Sequence, residues 1–440
     1  MPDEKSAGDF RYSTGDAAVP WAAVGEHLGV CEAQSLLRFL ARPRPGREDE
    51  YKLRLEQADR AISDLFEVAG PATKLSLGDM VERLERVAAG LLNCKHTLFL
   101  TNATHGFEIG FKYANLGPGD EVIAPSISFI ATIAYPLGVG AKVVFADLDP
   151  ASINMDPADV ARKVTDRTRV IIPVHIGGYP VDMDPIMEIA RERDIVVIED
   201  AAHAFGGSYK GRMLGTIGDF GSFSFHEVKN ITSFGEGGIL ATNSDWGENF
   251  KKARFLGLDL SRQIDNWLYD VVALPGKRGP FAAGNYSSTE IQAVCLLSQI
   301  ARLESIIAKR RERAEYLTAR FSEVEGLITP PGNTDEITPT WHLYLLQVDP
   351  AITGSDVQTF KAKLTEKGVT NIPHFGPMYK FDVCRQLGYD ADEIAATCPV
   401  TEEVFNHRFT HLPLYPLTDE QVEMMADRVI EAVEEMKRGA

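Results

Sequence analysis

Residues 183–203 read Met183-Asp-Pro-Ile-Met-Glu-Ile-Ala-Arg-Glu-Arg-Asp194 and then Ile195-Val-Val-Ile-Glu-Asp-Ala-Ala-His203. The first part is amphipathic at helical spacing, and the second is a short β-branched run that ends abruptly in two carboxylates. A helical segment leading into an all-apolar strand is the repeating unit of a parallel sheet covered on both faces by helices. Similar strands recur on either side. Thr97–Leu100, Glu121–Ala124, Lys142–Phe145, Val170–Val174, Ser222–Phe225 and Ile239–Thr242 read as buried strands, as does Ile195–Ile198. The expected fold class is therefore α/β, with a mainly parallel central sheet flanked by helices.

Upstream of this region, Tyr51–Glu67 predicts a helix with Leu55, Ala58, Ile62, Leu65 and Phe66 on one face. Met80–Leu92 predicts another, grouping Val81, Leu84, Val87, Ala88 and Leu91. Pro43 and Pro45 break the chain ahead of both, and residues 1–20 read as a polar tail. Downstream, residues 301–324 read as a long charged helix leaving the large domain. Trp341–Val348 then reads as a strand, and Ser355–Lys367 and Asp419–Lys437 as helices. The expected organisation is a partly helical extension over 1–70, a large α/β domain over 71–304 and a smaller α+β domain over 305–440.

Composition narrows the function classes. The 440 residues are 44% hydrophobic and 25% charged, ordinary for a globular protein, and the formal charge of −18 lacks the basic footprint of a nucleic-acid binder. No stretch approaches the roughly 20 apolar residues that span a bilayer, and Met1–Asp9 is too polar for a signal peptide. The five cysteines are scattered, odd in number and free of C-x-x-C spacing, as expected of a reduced cytoplasmic protein. No membrane, nucleic-acid or metal partner is expected.

In an open parallel sheet, ligands bind beyond the carboxyl ends of the strands. After Thr97–Leu100 comes Thr101-Asn-Ala-Thr-His-Gly106, small and polar and opening a helix at Phe107–Tyr113. Backbone N–H groups there, with the Thr104 hydroxyl, suit a phosphate. After Ile195–Ile198 comes Asp200, placed to pair with a buried cationic nitrogen, with His203 three residues on. After Ser222–Phe225 comes Lys229, followed by the glycine-rich Gly235-Glu-Gly-Gly238. Partial burial there would free its amine for Schiff-base chemistry. Taken singly, these are a helix cap, a turn residue and a solvated lysine. Together they are the parts of a pyridoxal-5′-phosphate (PLP) site: a phosphate cradle, a carboxylate for the pyridine nitrogen and a lysine for the aldehyde.

These segments resemble the DegT/DnrJ/EryC1/StrS group of sugar aminotransferases, PLP enzymes of fold type I like aspartate aminotransferase. The resemblance is carried by Thr101-Asn-Ala-Thr104, Gly119-Asp-Glu-Val-Ile-Ala-Pro-Ser126, Ile198-Glu-Asp-Ala-Ala-His-Ala204, Ser222-Phe-Ser-Phe-His-Glu-Val-Lys-Asn230 with Gly235-Glu-Gly-Gly238, and His411-Leu-Pro-Leu-Tyr-Pro416. It runs from about Lys74 to Lys437. It implies that Lys229 bonds the cofactor and shuttles the proton, and that Asp200 pairs with the pyridine nitrogen. It places His203 by the phenolic oxygen, where many relatives carry Gln, and Phe129 against the ring, although an aromatic in an apolar run is also a core candidate. Ala103, Thr104 and Ser224 would hold the phosphate. Asn285 would reach it from the neighbouring subunit, which implies a homodimer with shared sites.

The resemblance further implies an amino donor, L-glutamate or L-glutamine, and a keto-sugar or sugar-like acceptor, the cofactor alternating between PLP and pyridoxamine phosphate (PMP). Relatives with histidine at the lysine position dehydrate keto-sugars instead. A PLP-dependent dehydratase or lyase is thus one alternative, and a non-catalytic PLP-binding regulator a remoter one. Two departures bear on the acceptor. Asn285-Tyr-Ser287 stands where relatives commonly read Asn-Tyr-Arg, which weakens the case for a nucleotide-linked sugar. The 258–283 stretch, with Trp267, Lys277 and Arg278, looks extended and is a candidate source of replacement cations or of a lid. His175, His226, His374 and Tyr379 are looser candidates for substrate contacts, each with a structural role as the simpler reading.

Overall fold

Every one of the apolar runs forms a strand, and together they make a seven-stranded sheet. The computed structural model describes residues 28–69, 74–258, 271–371, 375–414 and 416–439. The strands are β1 (His96–Leu100), β2 (Glu121–Pro125), β3 (Lys142–Ala146), β4 (Thr168–Ile171), β5 (Val196–Asp200), β6 (Phe220–Ser224) and β7 (Gly238–Thr242). Their spatial order is β1-β7-β6-β5-β4-β2-β3. Only β7 runs against its neighbours β1 and β6; the β6–β5, β5–β4, β4–β2 and β2–β3 pairings are parallel.

Alternation along the strands feeds two cores. Val197, Phe99, Phe223 and Ile239 enter one core together with Val81, Leu84 and Ala88 of helix α3 (Asp79–Leu92), whereas Val196, Ile198, Leu98 and Phe220 enter the other with Phe107, Ile109 and Phe111 of helix α4 (Ala103–Tyr113). Burial on both faces explains why these strands read as continuous apolar runs. Expected Val170–Val174 is cut short at Ile171, because Pro173 has no N–H to give the ladder. Val174 makes only an isolated bridge to Asp200.

The helices upstream form with two local corrections. Helix α3 buries Val81, Leu84, Glu85, Ala88 and Leu92, while Leu91 faces solvent. Glu85 is held inside by the Phe99 N–H (2.9 Å) and the Arg254 guanidinium. Farther upstream, α1 (Val30–Leu40) and α2 (Glu48–Val68) flank the Pro43–Pro45 break and pair through Gln34 Nε2 on the Asp59 carbonyl (3.0 Å). Leu55, Ala58, Ile62 and Phe66 are partly covered along α2, but Leu65 points outward. The polar tail expected over 1–20 lies outside the described residues.

Beyond the large sheet, α5 (Leu303–Phe321) leads to an antiparallel sheet of β8 (Leu327–Ile328), β9 (Tyr344–Val348) and β10 (Phe409–Leu412), with β9 central. Helices α6 (Val357–Glu366) and α7 (Asp419–Gly439) complete a separate core around Tyr344, Phe360 and Val429. The strand expected from Trp341 begins at Tyr344, because Trp341 has φ +51 and turns the chain instead. Among the described residues no single helix is long and apolar enough to cross a membrane.

Two glycines allow α4 to start close against the sheet. A Cβ on Gly238 would lie 2.3 Å from the Asn102 carbonyl carbon, and one on Gly106 would lie 2.1 Å from Ser222 Oγ. Gly238→Ala therefore sets backbone against backbone and should lower the free energy of unfolding by about 3 kcal/mol. The urea midpoint measures this. Gly117→Ala, where no atom lies within 4 Å of the added carbon, should change it by less than about 0.5 kcal/mol.

Candidate active site

The register of the sheet aligns the candidate residues along one edge. Asp200 is opposite Ser222, Ser224 is opposite Gly238, and Gly238 is opposite Leu100, after which α4 begins. Asp200, Ser224 and the start of α4 therefore share the carboxyl end of the parallel strands. Asn102 caps α4 by accepting the His105 N–H (3.1 Å), leaving Ala103 and Thr104 in the first turn. Ser222 Oγ donates to the Ala103 carbonyl (2.9 Å) and fixes that turn to β6. Gly238 pairs with Ser224 and packs against Asn102 and Ala103, so the end of β6 and the first turn of α4, whose unpaired N–H groups suit an anion, are neighbours.

Asp200 is buried, 5% exposed. Its Oδ2 accepts the Thr132 hydroxyl (2.8 Å), its Oδ1 the Ala202 N–H (3.1 Å), and Ser128 Oγ contacts Thr132 in turn (2.8 Å). Burial pushes the carboxyl pKa up, while these donors and the nearby Lys229 pull it down. A buried carboxylate with a cationic partner is what a protonated pyridine nitrogen would complete. Phe129 belongs to the same turn, its carbonyl accepting the Thr132 N–H (3.1 Å), yet its side chain is 64% exposed. The core alternative for Phe129 therefore does not hold.

Lys229 lies in the turn after β6, its N–H donating to the His226 carbonyl (2.9 Å). Burial lowers its pKa from 10.5 to about 8, opposed by the Asp200 carboxylate. A sizeable neutral fraction near physiological pH is what carbonyl addition needs. His203 is buried and stacks on His342, ring centroids 4.3 Å apart and planes at 25°, with Phe375 5.6 Å away. Asn285 is exposed, and its Oδ1 accepts the Ser287 N–H (3.2 Å).

The looser candidates separate clearly. His175 is fully buried: the Val181 N–H donates to its Nδ1 (3.1 Å), so its Nε2–H donates to Glu199 (3.0 Å). Tyr379 is buried with its hydroxyl on Glu402 (2.5 Å). Both are framework groups. His226 is partly exposed, 3.8 Å from Glu236, and His374 lies outside the described residues. Lys277 binds Asp194 (2.7 Å) and Arg278 binds Asp120, two carboxylates just ahead of β5 and β2. They therefore sit at the amino ends of the strands, across the sheet from the candidate site, and are spoken for. Trp267 and the rest of 259–270, with any lid they would form, lie outside the described residues.

Sequence reading missed Thr132, Ser128, Asn230, His342 and Thr340. The signals available were the i, i+4 spacing of Ser128 and Thr132 and the adjacency of Asn230 to Lys229. His342 carried none, because it comes from the C-terminal unit.

The folded-state pKa of Lys229, about 8, lies below the ordinary 10.5, so the folded protein carries fewer protons between those values. Stability should therefore rise with pH across that window, and the charged amine costs at most about 3 kcal/mol below it. Lys229→Met should stabilise the cofactor-free protein by about 1–3 kcal/mol at pH 7. The advantage should vanish by about pH 10.5. Urea denaturation across that pH range tests it, and a pH-independent difference counts against a buried amine.

Comparison with known proteins follows the same outline. The profile of the DegT/DnrJ/EryC1/StrS aminotransferase family matches residues 57–434. The spore coat polysaccharide biosynthesis protein SpsC of Bacillus subtilis is 35% identical over 379 residues, covering 83% of this chain and 92% of SpsC. The crystal structure of 3-amino-5-hydroxybenzoic acid synthase superimposes with TM-score 0.72 at 28% identity, covering 81% of this chain and 91% of that one. The PLP form of Spr1654 from Streptococcus pneumoniae gives TM-score 0.72 at 26% identity, covering 83% and 94%, and a PMP form of it is also known.

Proposed function

Because this chain belongs to the DegT/DnrJ/EryC1/StrS aminotransferase family and is thus a PLP-dependent aminotransferase, we propose that it moves an amino group from L-glutamate or L-glutamine to the ketone of a sugar or sugar-like substrate. The observation that carries the site assignment is the pairing of a partly buried, pKa-lowered Lys229 with the buried carboxylate of Asp200. PLP supplies the electron sink that makes the substrate α-proton labile.

The rest is the work of this chain. Lys229 would bond the cofactor's aldehyde, and its amine, when free, would carry the substrate proton. Asp200 holds the pyridine nitrogen protonated, with Thr132 and Ala202 fixing its two oxygens. The first turn of α4, at Ala103 and Thr104, and Ser224 would hold the phosphate, Phe129 would cover the ring, and His203 would donate to the phenolic oxygen.

Two features support a homodimer. Exposed Val228, Phe234, Leu256, Val272 and Ile291 leave apolar surface on the segments that carry or flank Lys229 and Asn285. These segments are tied together by Ser233 Oγ on the Gln292 carbonyl (2.7 Å), the Leu256 N–H on Gly284 (2.8 Å) and the Gly257–Val272 contact. Apolar surface of this kind marks an interface, and Asn285 is exposed where a second subunit would receive it. All five cysteines are free, which suits the cytoplasm.

For the acceptor, the relatives' names point two ways, towards polysaccharide biosynthesis and towards an aminated hydroxybenzoic acid. With Lys277 and Arg278 held across the sheet, no replacement for the missing arginine at Ser287 comes from them.

The absorbance spectrum of the protein with PLP, before and after L-glutamate or L-glutamine, tests the assignment. The band of lysine-bound PLP should fall as that of PMP rises with the true donor. Lys229→Ala should lose both the lysine-bound band and turnover; retention of either refutes the role. Asp200→Ala should lower kcat by about 100-fold or more with a much smaller change in donor KM.

A further inference from the structure

The segment Thr340–Leu343, just ahead of β9 in the C-terminal unit, touches both His203 and Asn230, the chain neighbour of Lys229. Thr340 Oγ1 donates to the His203 carbonyl (2.5 Å), and the Thr340 carbonyl accepts Asn230 Nδ2–H (3.1 Å). That bond orients the Asn230 amide, so its Oδ1 must accept from His342 Nδ1–H (2.9 Å). The same His342 ring lies face-on to His203 at 4.3 Å. One imidazole therefore touches His203 directly and the immediate neighbour of Lys229 by hydrogen bond.

His342 is itself rigidly held. Its N–H donates to Gly177 (2.8 Å), and its carbonyl and that of Trp341 accept from Arg310 (3.2 Å each). Gly178 admits this segment, since a Cβ there would meet Thr340 Oγ1 at 2.0 Å. The charged and titratable groups around the ring are His203, Lys229, Arg310 and His411. Together with burial they keep His342 well below the usual histidine pKa. With its Nδ1–H on Asn230 and its face on His203, the ring is placed as a strut.

We propose that His342 is a positioning residue: by stacking on His203 and donating to Asn230, it holds His203 and Lys229 in one register, so that the phenolic oxygen and the aldehyde carbon of PLP are addressed together. This rests on reading Lys229 and His203 as the PLP site. A donor held at the phenolic oxygen competes for its electron density and weakens its grip on the neighbouring imine proton. Losing the stack should let His203 drift, so the proton is held more tightly.

The test uses the full chain with PLP and no amino donor, following the lysine-bound band as pH is varied. His342→Ala should move the midpoint upward by about one unit, a tenfold change in proton affinity. His342→Phe keeps an aromatic face on His203 but loses the bond to Asn230. It should leave the midpoint within a few tenths of a unit while slowing single-turnover reaction with the donor by about 10-fold or more at unchanged donor affinity. Asn230→Ala should slow it equally, with no further loss in the double variant. An unmoved midpoint in folded His342→Ala, or wild-type single-turnover rates in His342→Phe, overturns the proposal; a mere drop in melting temperature is the purely structural outcome. If His342→Ala does not fold, the Phe and Asn230 variants decide alone. Failure of the underlying reading is distinct, since it would show as a lysine-bound band surviving in Lys229→Ala.

Discussion

Two neighbouring carboxylates are buried at the end of β5, and they face opposite tasks. Glu199, with no exposed surface, accepts four hydrogen bonds: from His175 Nε2 and from the N–H groups of Gly215, Ile217 and Gly218. It thereby ties the chain between β5 and β6 to the end of the strand. Asp200 is left with its oxygens on Thr132 and Ala202 and a lysine in range. A buried charge persists only where donors or an opposite charge surround it. Glu199 meets that condition with framework groups alone. Asp200 meets it less fully, with only two protein donors on its oxygens among the described residues.

The same logic places the lysine. β6 ends at Ser224 and β7 returns from Gly238, so the intervening loop is anchored at both feet by the antiparallel pair. Lys229 occupies that loop over the carboxyl end of the sheet, where its amine loses water without gaining a full salt bridge. Removing the charge from one of the pair would make the other harder to keep charged, so Lys229 and Asp200 are energetically one site. The close approach of α4 across Gly238 brings the backbone of its first turn to the same end of the sheet.

Contacts from the C-terminal unit give the site its second layer. Thr340 and His342 reach His203 and Asn230, while Arg310 on α5 braces the turn at Trp341. The link joins the C-terminal core to the residues around Lys229 through hydrogen bonds and a ring stack, so movement of that unit against the large sheet would be felt at the reactive end.

The sequence alone was enough for the strands, their α/β class, the strand-end position of Asp200 and the place of Lys229 in the loop after β6. Those features are local: β-branched runs bury wherever the sheet puts them, and parallel strands present their carboxyl ends on one side. It also carried the family resemblance, because motifs are contiguous. What it left open depended on contacts between distant segments. The exposure of Phe129, the pairing of Lys277 and Arg278 with carboxylates across the sheet, and the stacking of His342 on His203 join residues tens to hundreds of positions apart. A local pattern records which side chains a segment offers, but not which remote partner claims them. Only the closed tertiary structure, by bringing those partners within a few ångströms, decided whether each cation and each ring served the site or the scaffold.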